Sequence, residues 1–214
     1  MFRITTIFLA ALLTFACATH GATPFRLSLE DATVGKLPSG WKAEKTGEGP
    51  GSAWAVAEDA TAPGGRALAQ TSAEGVKRLF NLCVASEPSF RNLDVSVAFK
   101  AVAGKIDQGG GLVWRYHDAN NYYVARMNPL EDNFCLDKVV DGKRKRLASV
   151  DVKAVAGRWH VLRVVHSGDH IECYLSGKRR LDVKDDTFSA AGKIGLWTKA
   201  DAQTHFAALR AEEK

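Results

Sequence analysis

The residues best suited to chemistry lie in one stretch, residues 107–133, where polar and apolar side chains alternate. Two runs, Gly111–His117 and Tyr122–Asn128, alternate with a period of two. This is the pattern of half-buried β-strands, because successive strand side chains point to opposite faces. The polar cluster Asp118–Asn121 between the runs has the composition of a tight connection. The sequence therefore predicts an antiparallel hairpin.

The predicted hairpin has one apolar and one polar face. With the turn at Asp118–Asn121, Trp114 lies opposite Ala125, and Arg115 lies opposite Val124. The apolar face then consists of Leu112, Trp114, Tyr116, Tyr123, Ala125 and Met127. The polar face consists of Arg115, His117, Tyr122, Arg126 and Asn128. Because these side chains offer charged and neutral hydrogen-bonding groups, we predict the ligand-binding site on the polar face.

Two arginines dominate this polar face. The turn places Arg126 opposite Val113, so Arg115 and Arg126 are predicted to be diagonal neighbours. Asp137 shares a parity with Asn133 and Cys135 on the next predicted strand, which can extend the Arg126 face. Asp137 is therefore either part of a ligand site or the partner in a solvated ion-pair ladder across the sheet.

A tryptophan near the C-terminus adds a further candidate. Ile194 and Leu196 alternate with Gly195 and Trp197, so Trp197 faces outward if the first two face the core. An outward tryptophan beside a glycine could stack on a sugar ring. The alternative is that a loop covers it.

Several kinds of site are disfavoured. A retaining glycosidase needs two carboxylates about 5 Å apart, and the acidic pairs Glu131-Asp132 and Asp185-Asp186 lie in predicted turns. The histidines are dispersed, so no convergent metal site is predicted. The net charge is +5, and the cations are scattered apart from Lys143–Arg146, so nucleic-acid binding is not indicated.

The N-terminus has the pattern of a secretory signal. Arg3 precedes an apolar run, Ile4–Phe15, followed by small residues, and the run is too short to span a bilayer. We therefore expect residues 1–21 to be a signal peptide and residues 22–214 to form one exported domain, periplasmic or extracellular. Lipid attachment at Cys17 is the less favoured alternative, because residues 14–16 match the lipoprotein pattern poorly.

The rest of the chain is predicted to be all-β. Short alternating runs follow one another with turns such as Asp141-Gly142, Gly168-Asp169 and Ser176-Gly177 between them. Asp-Gly between strand-like runs is a strong hairpin signal. Many short strands with regularly spaced turns favour an antiparallel β-sandwich.

Four segments resemble one bacterial family. They are GGGLVWRYHDANNYYVARMNPLEDN, DGKRKRLASV, RWHVLRVVHSGDHIECYLSGKRRLDVKDDTF and GKIGLWTKADAQTHF. The sequence resembles exported proteins named for 3-keto-disaccharide hydrolase and 3-keto-glucoside lyase activity, over roughly Trp41 to the end. The resemblance implies a concanavalin A-like, laminin-G-like jelly roll of two antiparallel sheets.

The resemblance leaves three functions open, because this fold serves several of them. The first is an exported domain that binds a glycan or an oxidised sugar. The second is an enzyme that cleaves 3-keto-glycosides by elimination or hydrolysis, in which one base removes an acidified proton and cationic groups stabilise the enolate. The third is a non-catalytic adhesion module. A carbohydrate is the expected partner in the first two, and no cofactor is identified.

Overall fold

The computed structural model describes residues 23–214, so the predicted signal segment and Cys17 lie outside the described residues. Residues 23–214 form fifteen β-strands and no α-helix. No helix long and apolar enough to cross a membrane is found in this part of the chain. The strands are β1 Phe25–Arg26, β2 Trp41–Thr46, β3 Trp54–Glu58, β4 Arg66–Gln70, β5 Phe80–Phe90, β6 Leu93–Ala103, β7 Gly110–Asp118, β8 Asn121–Asn128, β9 Asn133–Val140, β10 Lys143–Asp151, β11 Trp159–Ser167, β12 His170–Leu175, β13 Lys178–Lys184, β14 Gly192–Lys199 and β15 Gln203–Glu213.

Two antiparallel sheets pack as a sandwich, which confirms the predicted fold class. The first sheet has the order β13-β12-β11-β6-β15-β4-β3, with β1 paired to β15. The second has the order β10-β9-β8-β7-β14-β5-β2. The predicted Asp141-Gly142 turn joins β9 to β10, and both residues have the positive φ, 50° and 72°, that such a turn requires.

The main core lies between the two sheets. Alternate residues of β6 and β11, such as Val95 and Val164, meet alternate residues of β7 and β8, such as Trp114 and Tyr123. Trp114 stacks on Tyr123 with ring centroids 5.6 Å apart, and its Nε1 donates a 2.9 Å hydrogen bond to His166 Nδ1. The core therefore contains a fully buried histidine that acts as an acceptor.

The second sheet also buries much of its other face, which points away from the first sheet and is called here the outer face. A second apolar cluster covers it, formed by Phe80, Leu82, Val84, Val113, Tyr116, Tyr122, Val124, Val139 and Trp197. The end of β2 reaches the β7–β8 turn, where Thr46 Oγ1 donates a hydrogen bond to Ala119 O. Tyr122 OH lies 2.8 Å from the same hydroxyl. These contacts bring distant strands of the sheet together over its outer face.

The predicted hairpin of β7 and β8 exists, but its predicted register is wrong. Trp114 pairs with Tyr123, and Asp118 pairs with Asn121, so three residues of β7 oppose Tyr122 alone. Arg115 sits in this irregularity with a φ of 43°. A bulge of this kind re-aims the side chains that follow it. Tyr116 consequently joins the cluster on the outer face instead of the Trp114 face.

Candidate functional site

Arg115 does not lie beside Arg126, which contradicts the predicted pair of diagonal arginines. Its side chain is 1% exposed and ties three loops together at one end of the sandwich. Nη2 donates to Arg91 O at 2.8 Å and to Gly168 O at 2.9 Å, and Nη1 donates to Phe188 O. Its hydrogen-bonding groups are thus used by backbone carbonyls, which gives Arg115 a structural role.

Arg126 and Asp137 do lie together on the outer face, but in a buried ion-pair network instead of a solvated ladder. Arg126 Nε is 3.4 Å from Asp137 Oδ2, and its Nη1 is 3.3 Å from Glu131 Oε2. Asp137 is 0% exposed and also pairs with Arg146, with Arg144 Nε 3.9 Å away. One buried carboxylate is therefore shared by three arginines, and we call this group the closed charge network.

Asn128 continues this network. Its Nδ2 donates to Asp107 Oδ1 at 3.1 Å, and its Oδ1 accepts from the backbone N–H of Leu130 at 2.8 Å. Asp107 also accepts a 2.6 Å hydrogen bond from Lys199 Nζ. Burial raises the pKa of Asp107, while the neighbouring Lys199 lowers it. Both the nitrogen and the oxygen of the Asn128 amide thus form hydrogen bonds within the protein.

Tyr122 and Trp197 lie on the outer face as their parity predicts, but both are buried. The Trp197 side chain is 1% exposed and packs against Phe80, with ring centroids 5.4 Å apart. The prediction of an exposed stacking platform is therefore wrong. Tyr122 is 0% exposed and stacks on Tyr116 at 6.0 Å. Any direct contact with a ligand would require the outer face to open.

His117, one of the predicted site residues, lies at an open cavity. The cavity has a volume of about 450 Å³, within the range of small-molecule sites. We call it the bulge cavity. Its lining consists of Lys42, Glu44, Val84, Ala85, Ser86, Tyr116, His117, Asp118, Ala119, Asn120 and Lys193.

Three adjacent strands lose their regular pairing at the level of this cavity. The irregularity in β7 falls between Trp114 and Asp118, and the pairing of β14 shifts between Lys193 and Gly195. Along β5, residues 85–88 are skipped between the partners of those two β14 residues. Because a bulged strand bends away from its neighbours, aligned irregularities leave a depression in the sheet. The bulge cavity occupies this depression.

The lining of the bulge cavity combines an apolar floor with polar walls. Tyr116 is 8% exposed, and burial raises the pKa of its phenol, so the ring is neutral. His117 is exposed, and its ring lies 5.5 Å from that of Phe188. Asp118 Oδ1 accepts the backbone N–H of Asn120 at 2.7 Å, which orders the turn. Donors and acceptors of both charge signs thus surround an aromatic surface.

Most of the cavity residues were missed by sequence reasoning. Lys42 and Ser86 come from β2 and β5, which are distant in sequence from the predicted hairpin. Two signals could have indicated an irregular sheet here. Pro88 lies inside a strand, where it removes a ladder donor and marks a bulge or an edge. Gly192 allows a close approach, because a Cβ there would lie 2.5 Å from the carbonyl carbon of Arg115.

One cluster on the first sheet has metal-ligating residue types, although no metal site was predicted. His170, Glu172 and Asp182 bring their ligand atoms within 4.8 Å of one another. Arg179 Nη1, however, lies 2.6 Å from Glu172 Oε1 and 3.0 Å from Asp182 Oδ2. A cation of the protein already pairs with both carboxylates of this cluster, so we do not assign it to a metal.

Comparisons with known proteins show the fold. No protein-family model and no curated protein matches the sequence. Among solved structures, the carbohydrate-binding module CBM66 from Bacillus subtilis matches with a TM-score of 0.64 and 21% identity, over 81% of this chain and 95% of that one.

Two further solved structures support the same architecture. A Bacillus subtilis protein with a galectin-like fold matches with a TM-score of 0.61 and 11% identity, covering 90% of this chain and 96% of that one. Domain 4 of AbnA, an extracellular GH43 arabinanase from Geobacillus stearothermophilus solved with arabinotriose, matches with a TM-score of 0.55 and 14% identity, over 88% and 90% of the two chains. The chain therefore has a galectin-like jelly-roll fold.

Proposed function

We propose that the protein binds a carbohydrate in the bulge cavity and that it does so outside the cytoplasm, as the N-terminal signal pattern suggests. The observation that carries the proposal is the open cavity of about 450 Å³ on the outer face, with Tyr116 on its floor. An aromatic ring can pack against the C–H groups of a sugar. The surrounding hydroxyl, carboxylate, amide and ammonium groups can exchange hydrogen bonds with sugar hydroxyls.

The jelly-roll neighbours give this proposal independent support. One is a carbohydrate-binding module, and another was solved with arabinotriose. At 21% and 14% identity these likenesses establish the fold alone, so the choice of sugar rests on the cavity. The mixed charges of Lys42, Glu44 and Lys193 favour a neutral, hydroxyl-rich ligand, since they present both donors and acceptors.

Calorimetry with a broad oligosaccharide panel, including arabinotriose and oxidised sugars, tests the proposal. We expect at least one saccharide to bind, and Lys193→Ala to weaken its binding at least tenfold by removing a charged hydrogen-bond donor, worth about 1.5–3 kcal/mol in general. The matched control is Lys178→Ala, an exposed lysine on β13 of the other sheet. Silence across the panel, or equal losses in both variants, would reject the bulge cavity as the site.

Cleavage of a 3-keto-glycoside is a second candidate, favoured by an exposed imidazole facing a cavity that lysines also line. His117 would remove the proton that the ketone acidifies, and the electron pair would form an enolate. A lysine ammonium would stabilise the enolate oxygen. Collapse of the enolate would break the glycosidic C–O bond, and the departing oxygen would take a proton.

Incubation with 3-keto-trehalose, with and without a divalent cation, tests this candidate by the release of glucose. We expect release by the wild type and a loss of at least a hundredfold in His117→Ala, since a general base contributes about 10²–10⁴-fold. Release no faster than in buffer under both conditions would leave binding without turnover as the function.

A further inference from the structure

A second cavity on the protein has a different chemical character. It has a volume of about 380 Å³ and is lined by Lys77, Arg78, Phe80, Gly142, Lys143 and Arg144. The loop before β5 supplies the first two cations, and the start of β10 supplies the other two. This cationic cleft contains four positive side chains and no carboxylate in its lining, whereas the bulge cavity includes Glu44 and Asp118.

Arg144 in this cleft lacks a carboxylate of its own. Its Nε is 3.9 Å from Asp137 Oδ2, and that carboxylate already pairs with Arg126 and Arg146. Its Nη1 is buried and has no hydrogen-bond partner within the described residues. A buried guanidinium donor without an acceptor is costly. The Arg144 side chain as a whole is 23% exposed and lines the cleft, so an anion bound there can form a charge-assisted hydrogen bond with its guanidinium.

The floor of the cleft holds Arg144 in place. The guanidinium carbon lies 5.3 Å from the centroid of the Phe80 ring, in a cation–π contact. Burial lowers the pKa of Arg144, so the surroundings oppose its charge and an added anion would relieve that opposition. Lys77, Arg78 and Lys143 are exposed at the rim. The cleft thus combines one fixed guanidinium with three cations that can adjust to a ligand.

We propose that this cleft binds the anionic groups, sulfate or carboxylate, of an acidic polysaccharide. Phe80 is 7% exposed and covered by Arg144, so it offers no open ring on which a nucleic-acid base could stack. A cleft of this volume suits one or two charged sugar units better than a long phosphate backbone. The site is separate from the bulge cavity, and the proposal does not depend on neutral sugars binding there.

The binding of matched polymers tests the proposal. Dextran sulfate is compared with dextran, and polygalacturonate with its methyl ester, by calorimetry on the purified protein at low salt. We expect the charged member of each pair to bind and the neutral member to show no binding at this cleft. Affinity should fall with rising salt, because each ion pair formed releases bound counterions. Inorganic sulfate and phosphate alone separate recognition of a free ion from recognition of a polymer.

Charge reversal locates the binding site. We expect Lys77→Glu and Lys143→Glu each to weaken dextran sulfate binding at least tenfold, with circular dichroism confirming the fold. The matched control is Lys145→Glu, which changes the net charge equally in the same run but lies outside the cleft. We expect it to weaken binding less than threefold.

Three outcomes would overturn the proposal. Equal losses of affinity in Lys143→Glu and Lys145→Glu would show that binding depends only on the net charge of the protein. Tighter binding of a single-stranded oligonucleotide than of dextran sulfate would make the ligand a nucleic acid. Tight binding of free phosphate that excludes the polymers would make it a small-ion site. Lys193→Ala should retain dextran sulfate binding, so failure of the neutral-sugar proposal is distinguishable from failure of this one.

Discussion

Two halves of the outer face of the second sheet differ in the regularity of their strands. Where β8 and β9 pair without interruption from Tyr122 to Asn128, the side chains pack tightly, and Arg126 and Asp137 are buried in the closed charge network. Where β7, β14 and β5 lose their register together, the sheet opens into the bulge cavity. The difference shows that backbone irregularity, more than side-chain type, opens the bulge cavity on this face.

The largest effect should come from the closed half. Asp137→Asn removes the buried carboxylate that three arginines share, and the buried guanidinium of Arg126 then keeps only the exposed Glu131 as an ion-pair partner. We expect a loss of about 3–5 kcal/mol in the free energy of unfolding, measured by urea denaturation. Asp182→Asn, at an exposed ion pair, should leave the unfolding midpoint nearly unchanged. A loss below about 1 kcal/mol for Asp137→Asn would show that the network contributes little.

The next effect tests the core beneath the open half. Burial lowers the pKa of His166 from 6.5 to about 4, and the nearby Arg115 adds to the effect. The unfolded chain therefore binds a proton more readily than the folded protein does. The contribution of neutral His166 to the free energy of unfolding is fully present above pH 6.5 and is lost as the pH drops towards 4. The loss should reach about 3 kcal/mol, since one pKa unit corresponds to about 1.4 kcal/mol.

His166→Gln isolates this contribution, because it keeps an acceptor for Trp114 Nε1 but does not titrate. Urea denaturation of both proteins between pH 7 and pH 4 measures the difference. The variant should lose less stability over this range than the wild type. Parallel pH profiles would show that His166 does not carry the acid sensitivity.

A smaller effect should come from the glycine at the irregular strands. Gly192→Ala places a Cβ 2.5 Å from the carbonyl carbon of Arg115, so the backbone must shift. We expect destabilisation of about 1–3 kcal/mol, typical of overpacking, together with weaker binding in the bulge cavity. Gly64→Ala is the control for binding, because its φ of 82° makes the substitution strained while no atom lies within 4 Å and the residue does not line the bulge cavity. If Gly192→Ala left ligand binding unchanged, the shape of the bulge cavity would not depend on the close approach of Gly192 to Arg115.

The smallest effect on stability should come from His117. The His117 side chain is exposed, so His117→Ala should change the free energy of unfolding by less than about 0.5 kcal/mol. We expect the same variant to weaken ligand binding in the bulge cavity. Thermal unfolding and calorimetry on one preparation give both values. A large drop in melting temperature without a change in affinity would make His117 structural.

Alternation in the sequence predicted which side of the sheet most candidate residues occupy. Tyr122, Arg126 and Asp137 lie on the outer face, as does Trp197. Their burial could not be predicted, because it depends on contacts between distant segments. Thr46 meets the β7–β8 turn 73 residues away along the chain. The period-two alternation of a strand predicts the side of the sheet on which a residue lies. Whether that side is covered depends on the tertiary structure.

The error at Arg115 has a different origin. A non-glycine residue with a φ of 43° is uncommon, and nothing in Trp-Arg-Tyr-His marks it. The irregularity is stabilised by carbonyls of Arg91, Gly168 and Phe188, which belong to three separate connections. The fold class could be predicted because it follows from many repeated patterns. The bulge cavity could not, because it depends on local irregularities in three strands that no repeated pattern marks.

The aligned irregularities of β5, β7 and β14 have a consequence for how ligand preference can change in evolution. The main chain shapes the bulge cavity, while exposed side chains such as His117, Asn120 and Ser86 line its rim. Exposed residues can be exchanged at little cost in stability. Relatives with this backbone could therefore alter their ligand preference by rim substitutions while the recess stays in the same place.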